Sequence, residues 1–211
     1  EIESETVISD GLFRLLSAWT NLSREKTFTA DISMGVECSP ISLNENIKFE
    51  RTIIDGEKIG CIRKKELAVY FADGNFCDQN GAVIDAKDNA LADRKRLIEA
   101  LYQICMNGEF KCTDTGNDTW LYTLTLDEDA MKSVAYAAAP EMEKLPVTLT
   151  SGSVQIMIKG SNITEIDFSC TGGFNALADT APVTVSVKMG FTHNSNTEVP
   201  NAVKNQLIQE R

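Results

Sequence analysis

The chain has 211 residues and carries 20 basic against 31 acidic side chains, a formal net charge of −11. With 43% hydrophobic and 24% charged residues it has a folded globular composition; 5 Pro, 13 Gly and the spread of apolar residues exclude collagen, coiled coil and wholesale disorder. The acidic balance argues against nucleic acid and against electrostatic attraction to an anionic membrane, and no apolar run is long enough to span a bilayer.

The chain opens on Glu rather than Met, and the polar lead-in Glu1-Ile-Glu-Ser-Glu-Thr6 suits a mature exported protein. A signal peptide, and a lipid anchor, would then lie upstream. Ile8, Leu12, Leu15, Leu16 and Trp19 recur at helical spacing, with Ser4 or Thr6 as cap and an end within Asn21 to Lys26. Phe28, Ala30, Ile32, Met34, Val36 and Cys38 then alternate with polar residues or glycine, the period of a strand with one dry face. Ile47, Phe49 and Ile53 continue this in a second strand whose dry face Arg51 interrupts. Asp55-Gly56 predicts a hairpin into a strand from Lys58 to Lys64. A further strand from Leu67 to Ala72 closes at Asp73-Gly74, and Asn80-Gly81 marks another turn.

A second helix is expected from about Asn89 to Met106, with Asp88 as cap, the stripe Leu97, Ile98, Leu101, Ile104 and Cys105, and a stop at Asn107-Gly108. Glu109 to Thr113 and Thr119 to Leu126 form a hairpin across Gly116-Asn117, with Trp120, Tyr122, Leu124 and Leu126 on one face. Asp127 caps a third helix with the stripe Met131, Val134, Ala135 and Ala138, ended by Pro140. Strands return as Val147 to Thr150, a turn at Gly152-Ser153, and Val154, Ile156 and Ile158 on one face. Gly160-Ser161-Asn162 turns into Ile166, Phe168 and Cys170. A Gly-rich loop from Thr171 to Pro182 precedes Val183, Val185, Val187, Met189 and Phe191. Pro200 opens a short helical tail with Val203 and Leu207 inward.

Strands joined by tight turns imply an antiparallel sheet, and their alternation leaves a dry face that amphipathic helices must cover. The expectation is an α+β fold, a single domain over 1–211. Its large curved antiparallel sheet, a half-barrel, carries two or three helices on the concave face. Such layers either enclose an apolar gap or are filled by side chains; Met34 and Met189 suit both.

Chemistry is sparse. The six cysteines, 38, 61, 77, 105, 112 and 170, contain no CxxC and read first as buried free thiols, then as disulfides, last as a metal site. His193 is the one histidine and reads as an exposed loop residue rather than as a catalytic base. Asp127, Glu128 and Asp129 read as a helix start. Asp73 to Asp78 only faintly resembles a calcium loop, and Gly172-Gly173 reads as turn chemistry. Sequons stand at Asn21, Asn117 and Asn162. No catalytic, cofactor-binding or metal-binding residue is assigned, and no cofactor is expected.

The order of elements and the segment Glu198-Val-Pro-Asn-Ala-Val203 resemble the half-barrel lipoprotein carriers of bacterial envelopes, the family of LolA, LolB, LppX and LprG. That resemblance implies a non-enzymatic, cell-envelope or extracellular protein that binds or carries a lipid or other hydrophobic molecule between sheet and helices. The alternative is a cell-surface interaction or structural module with a filled core; an enzyme with a site dispersed in sequence is the third reading.

Overall fold

A computed structural model describes residues 2–38, 41–176, 179–195 and 197–208, the side chains of 2–10, 41, 176 and 179 excepted. Among these, ten strands form one sheet: β1 (Thr27–Cys38), β2 (Ile41–Ile54), β3 (Glu57–Lys64), β4 (Leu67–Ala72), β5 (Asn75–Asp78), β6 (Lys111–Gly116), β7 (Thr119–Thr125), β8 (Val147–Lys159), β9 (Asn162–Ala176) and β10 (Asp179–His193). The order is β5-β4-β3-β2-β1-β10-β9-β8-β7-β6, and every neighbouring pair is antiparallel. Two meanders are thus joined at their oldest and newest strands, β1 against β10. Ile32 faces Met189 on one side and Ile47 on the other, so dry rows meet dry rows. A slip of one residue would turn a whole strand's apolar set to water, which is why the alternation fixes the register. Asp55-Gly56 and Asp73-Gly74 both take positive φ, the mirror-image turns that match strand twist.

The helices are α1 (Ile2–Arg24), α2 (Ala90–Asp93), α3 (Lys95–Asn107), α4 (Glu128–Ala138) and α5 (Asn201–Ile208). The first four lie over the concave inner face, where Leu15, Trp19, Leu97, Leu101, Met131 and Val134 share one core with the strands. Each such buried side chain contributes about 1.5–3 kcal/mol relative to exposure. The expected α+β half-barrel is therefore observed.

Several local expectations are corrected. In α1 the buried stripe is Leu15, Ala18, Trp19 and Leu22, while Leu12 and Leu16 are 56% and 48% exposed; the side chain of Ile8 lies outside the described residues. The helix already runs from Ile2, so Ser4 and Thr6 lie inside it. The expected second helix is broken at Arg94 into α2 and α3, and its cap is Asn89, whose side chain accepts from Leu91 N and Ala92 N; Asp88 belongs to a preceding 3-10 turn. Arg94 turns inward there and donates to the Ala138 carbonyl at 2.9 Å and to Glu45 at 2.6 Å, holding the end of α4.

The last third is more continuous than its glycines suggest. Gly152-Ser153 is not a turn but lies inside β8, and a Cβ at Gly152 would stand 2.7 Å from Met131 Sδ. The glycine lets α4 press onto the sheet. Gly172 and Gly173 likewise lie in β9 rather than in a loop: a Cβ at Gly172 would come 2.0 Å from the Thr148 carbonyl, beside the register shift between Leu149 and Ser151. Only residues 177–178 lie between β9 and β10, outside the described residues.

One end of the sheet is covered on both faces. Val199, Val203 and Leu207 of the tail pack against Ile59, Cys61, Ala68, Tyr70, Ala72 and Cys77, the outward residues of β3, β4 and β5. The tail residues are buried as expected, but against the outer face. The Ala202 carbonyl runs so close to the Asn80-Gly81 turn that a Cβ at Gly81 would be 2.8 Å away.

Candidate ligand groove

A cross-strand row crosses the inner face near the C-terminal end of α1. Phe28 pairs with Arg51, Arg51 with Gly60, Gly60 with Phe71, and Phe71 with Phe76. Phe49, one inward step along β2, stacks on Phe71 at 6.3 Å and meets Phe28 edge-on at 5.7 Å; Phe191 of β10 lies 5.9 Å from Phe28. Gly60 makes this continuous, because the Phe71 ring occupies the space where a side chain would stand. Five aromatic rings from five strands thus pave one end of the bowl.

Arg51, which interrupts the dry face of β2, is accounted for by α1. Its Nη2 donates to the Leu22 carbonyl and, at 3.0 Å, to the Glu25 carbonyl, groups that a helix end leaves unpaired. The guanidinium stacks 4.5 Å above the Phe28 ring. Its Nε is buried without a hydrogen-bond partner, as is the Nε1 of Trp19.

Above this paving α1 meets α3 at one point, where Trp19 stands edge-on to Tyr102 at 5.6 Å. Between them and the sheet runs a groove of about 300 Å³. Its floor is Phe28, Phe49, Ile166, Met189 and Phe191; its walls are Trp19, Leu22 and Ser23 of α1 and Ile98, Leu101 and Tyr102 of α3. The charged residues that line it are Arg51, Lys58 and Glu99, and Glu99 is held by Lys95 at 2.7 Å. This is a small, mainly apolar cleft with a few polar groups, the usual form of a small-molecule site.

Elsewhere the chemistry is structural. His193 is not an exposed loop residue: it ends β10 with its Nδ1 2.6 Å from Glu25 Oε2 and its Nε2 2.7 Å from the Ile163 carbonyl. Both ring nitrogens face acceptors, so neither is turned toward a nucleophile. Glu25 also accepts from Asn194 N, tying the end of α1 to that of β10. All six cysteines are free thiols. Burial pushes Cys61 and Cys105 up to about 12 and Cys77 and Cys170 up to about 11. Among the described residues no group of His, Cys, Asp or Glu is arranged to hold a metal ion. No helix among them is long and apolar enough to cross a membrane.

Of the residues singled out in the sequence, Met189 lines the groove, while Met34 is buried in the core away from it. Trp120 lies under Arg14 at 4.4 Å, and Tyr122 donates to the Gly11 carbonyl at 2.9 Å, so both fasten α1 rather than meet the groove. Lys58 stands in the sequence as the first residue of a return strand, with no mark of a site. Its parity with Gly60 and Ile62 was the available signal that it faces inward.

No family model and no curated protein matches the sequence. Among solved structures, the chain is similar to the lipoprotein LppX of Mycobacterium tuberculosis, with 8% identity, 90% of this chain and 98% of that one covered, and a TM-score of 0.40. A DUF1329 family protein from Desulfovibrio piger aligns at 7% identity over 96% of this chain and 98% of its own, TM-score 0.35. An outer membrane lipoprotein-sorting protein domain from Vibrio parahaemolyticus aligns at 11% identity over 94% and 98%, TM-score 0.34. These are likenesses of architecture, as the element order implied, and they bear on nothing finer.

Proposed function

We propose that the chain is a single-domain, non-enzymatic protein of the cell envelope or exterior that binds a hydrophobic molecule in the groove between α1, α3 and the aromatic floor. The observation that carries this reading is the groove itself: about 300 Å³ bounded mainly by apolar side chains between the helices and the sheet. Apolar surface left unfilled loses contacts that a ligand restores. The occupation of both His193 nitrogens supports a binding rather than a catalytic role. Native mass spectrometry of gently purified protein, with thermal shifts against a panel of fatty acids, alcohols and lipids, tests the reading. A retained apolar ligand or a saturable rise in Tm is expected; an empty protein whose Tm no member of the panel moves would contradict it.

A second reading, a surface interaction module, rests on a different observation. Leu12, Phe13 and Leu16 of α1 and Tyr102 of α3 are 56%, 75%, 48% and 47% exposed on adjacent helices. Under that reading Phe13→Glu abolishes the partner contact, and no member of the ligand panel raises the Tm.

A further inference from the structure

The charges at the groove are all but one of a single sign, in a protein whose net charge is −11. Arg51 and Lys58 both face inward, at diagonal positions of the β2–β3 pair, since Arg51 pairs with Gly60 and Ile53 with Lys58. Such positions stand about 7–8 Å apart. Lys58 enters none of the ion pairs among the described residues. Arg51 spends one terminal nitrogen on the α1 carbonyls, and among the described residues no carboxylate forms an ion pair with its guanidinium, although the Glu25 carboxylate is near enough to act on it electrostatically. The one carboxylate of the lining, on Glu99, is neutralised by Lys95. Apart from Ser23 and Gln103, the rest of the lining is aromatic and aliphatic. A cleft with cations at one end and apolar walls beyond matches an amphiphile with an anionic head.

Volume bears on the tail. At about 300 Å³ the groove stands at the small end of small-molecule sites, which run from about 300 to 1,000 Å³, and so suits one alkyl chain better than the two or three of a membrane lipid. Building on the proposed binding role, we infer that the groove takes a single-chain anionic amphiphile, its carboxylate or phosphate head held by Lys58 and Arg51 and its tail on the Phe28, Phe49 and Phe191 floor.

The test compares probes that share one tail: dodecanoate, dodecyl phosphate, 1-dodecanol and dodecyltrimethylammonium, titrated into the whole protein by calorimetry. Lys58→Glu is the variant of choice, because Lys58 is exposed and its loss breaks no ion pair. The inference expects both anions to bind at least about tenfold tighter than the alcohol or the cation, with that preference lost in Lys58→Glu and weakened by salt. Preference for dodecanoate over the phosphate, or the reverse, identifies which anionic head the site takes. Equal binding of all four probes, unaltered by Lys58→Glu, would overturn the inference while leaving a hydrophobic groove. Binding of none would remove the groove reading as well.

Discussion

The Phe71 ring lies across Gly60, its cross-strand partner on β3, so closely that a Cβ there would sit 2.4 Å from Cζ. From that position Phe71 stacks with Phe49 and touches Phe76, and Lys95 of α3 approaches both Phe71 and Phe76 at 5.5 and 5.7 Å. The absence of one side chain thus organises the floor beneath α3.

Gly60→Ala is expected to push Phe71 aside and to destabilise the protein by about 1–3 kcal/mol, as overpacking does. In a Phe71→Ala background the same substitution should cost far less. Urea unfolding of the two single variants and the double variant reads the coupling; equal costs in both backgrounds would refute the arrangement.

Arg51 joins the sheet to the end of α1. Arg51→Met should remove hydrogen bonds to the Leu22 and Glu25 carbonyls and cost about 1–3 kcal/mol, with faster amide exchange in the last turns of α1. Arg51→Lys keeps the charge but loses the planar fork, and should fall between. Unchanged exchange in α1 would show that the capping contact contributes nothing.

The strand framework was legible because period two is a local signal: Phe28 to Cys38 and Val183 to Phe191 carry it without a break. What covers each face was not. Val203 and Leu207 announce an apolar stripe, but a stripe does not say which side of a sheet it meets. Leu12 and Leu16 fit a helical repeat as well as Leu15 and Trp19 do, and only the position of the sheet decides between them. Arg51 was visible as an anomaly, whereas its partners on α1 were not. Nothing local marks His193 as a paired, part-buried residue, because its partner Glu25 stands 168 residues away in sequence. The groove itself arises from three segments, α1, α3 and the sheet, that no local pattern links.

Thiol reactivity should follow burial. At pH 8, alkylation of the folded protein is expected at the half-buried Cys38 and Cys112, with Cys61, Cys77, Cys105 and Cys170 modified only in denaturant. The four buried thiols are pushed from 9.0 up to about 11–12 by desolvation, so the folded state disfavours their thiolates. Their contribution to stability is fully present below the unfolded thiol value and is lost as pH rises from there toward 11–12. A stability plateau through that range in urea titrations, or rapid labelling of Cys105, would contradict this.

The tail shields one end of the sheet from outside. Removing residues 200–211 should expose Cys61 and Cys77 to alkylation while Cys105 and Cys170, under the helices, remain protected. Mass spectrometry of the labelled peptides distinguishes this from general unfolding, in which all four would react together.

The central claim, that the space between α1, α3 and the aromatic floor holds a ligand, is tested most directly by methyl NMR during titration with dodecanoate. The methyls of Leu22, Ile98, Leu101, Ile166 and Met189 should shift together and saturate, with those of Ile59, Val203 and Leu207 on the outer face unmoved. Saturable shifts confined to the outer cluster, or no shifts at ligand excess, would contradict it.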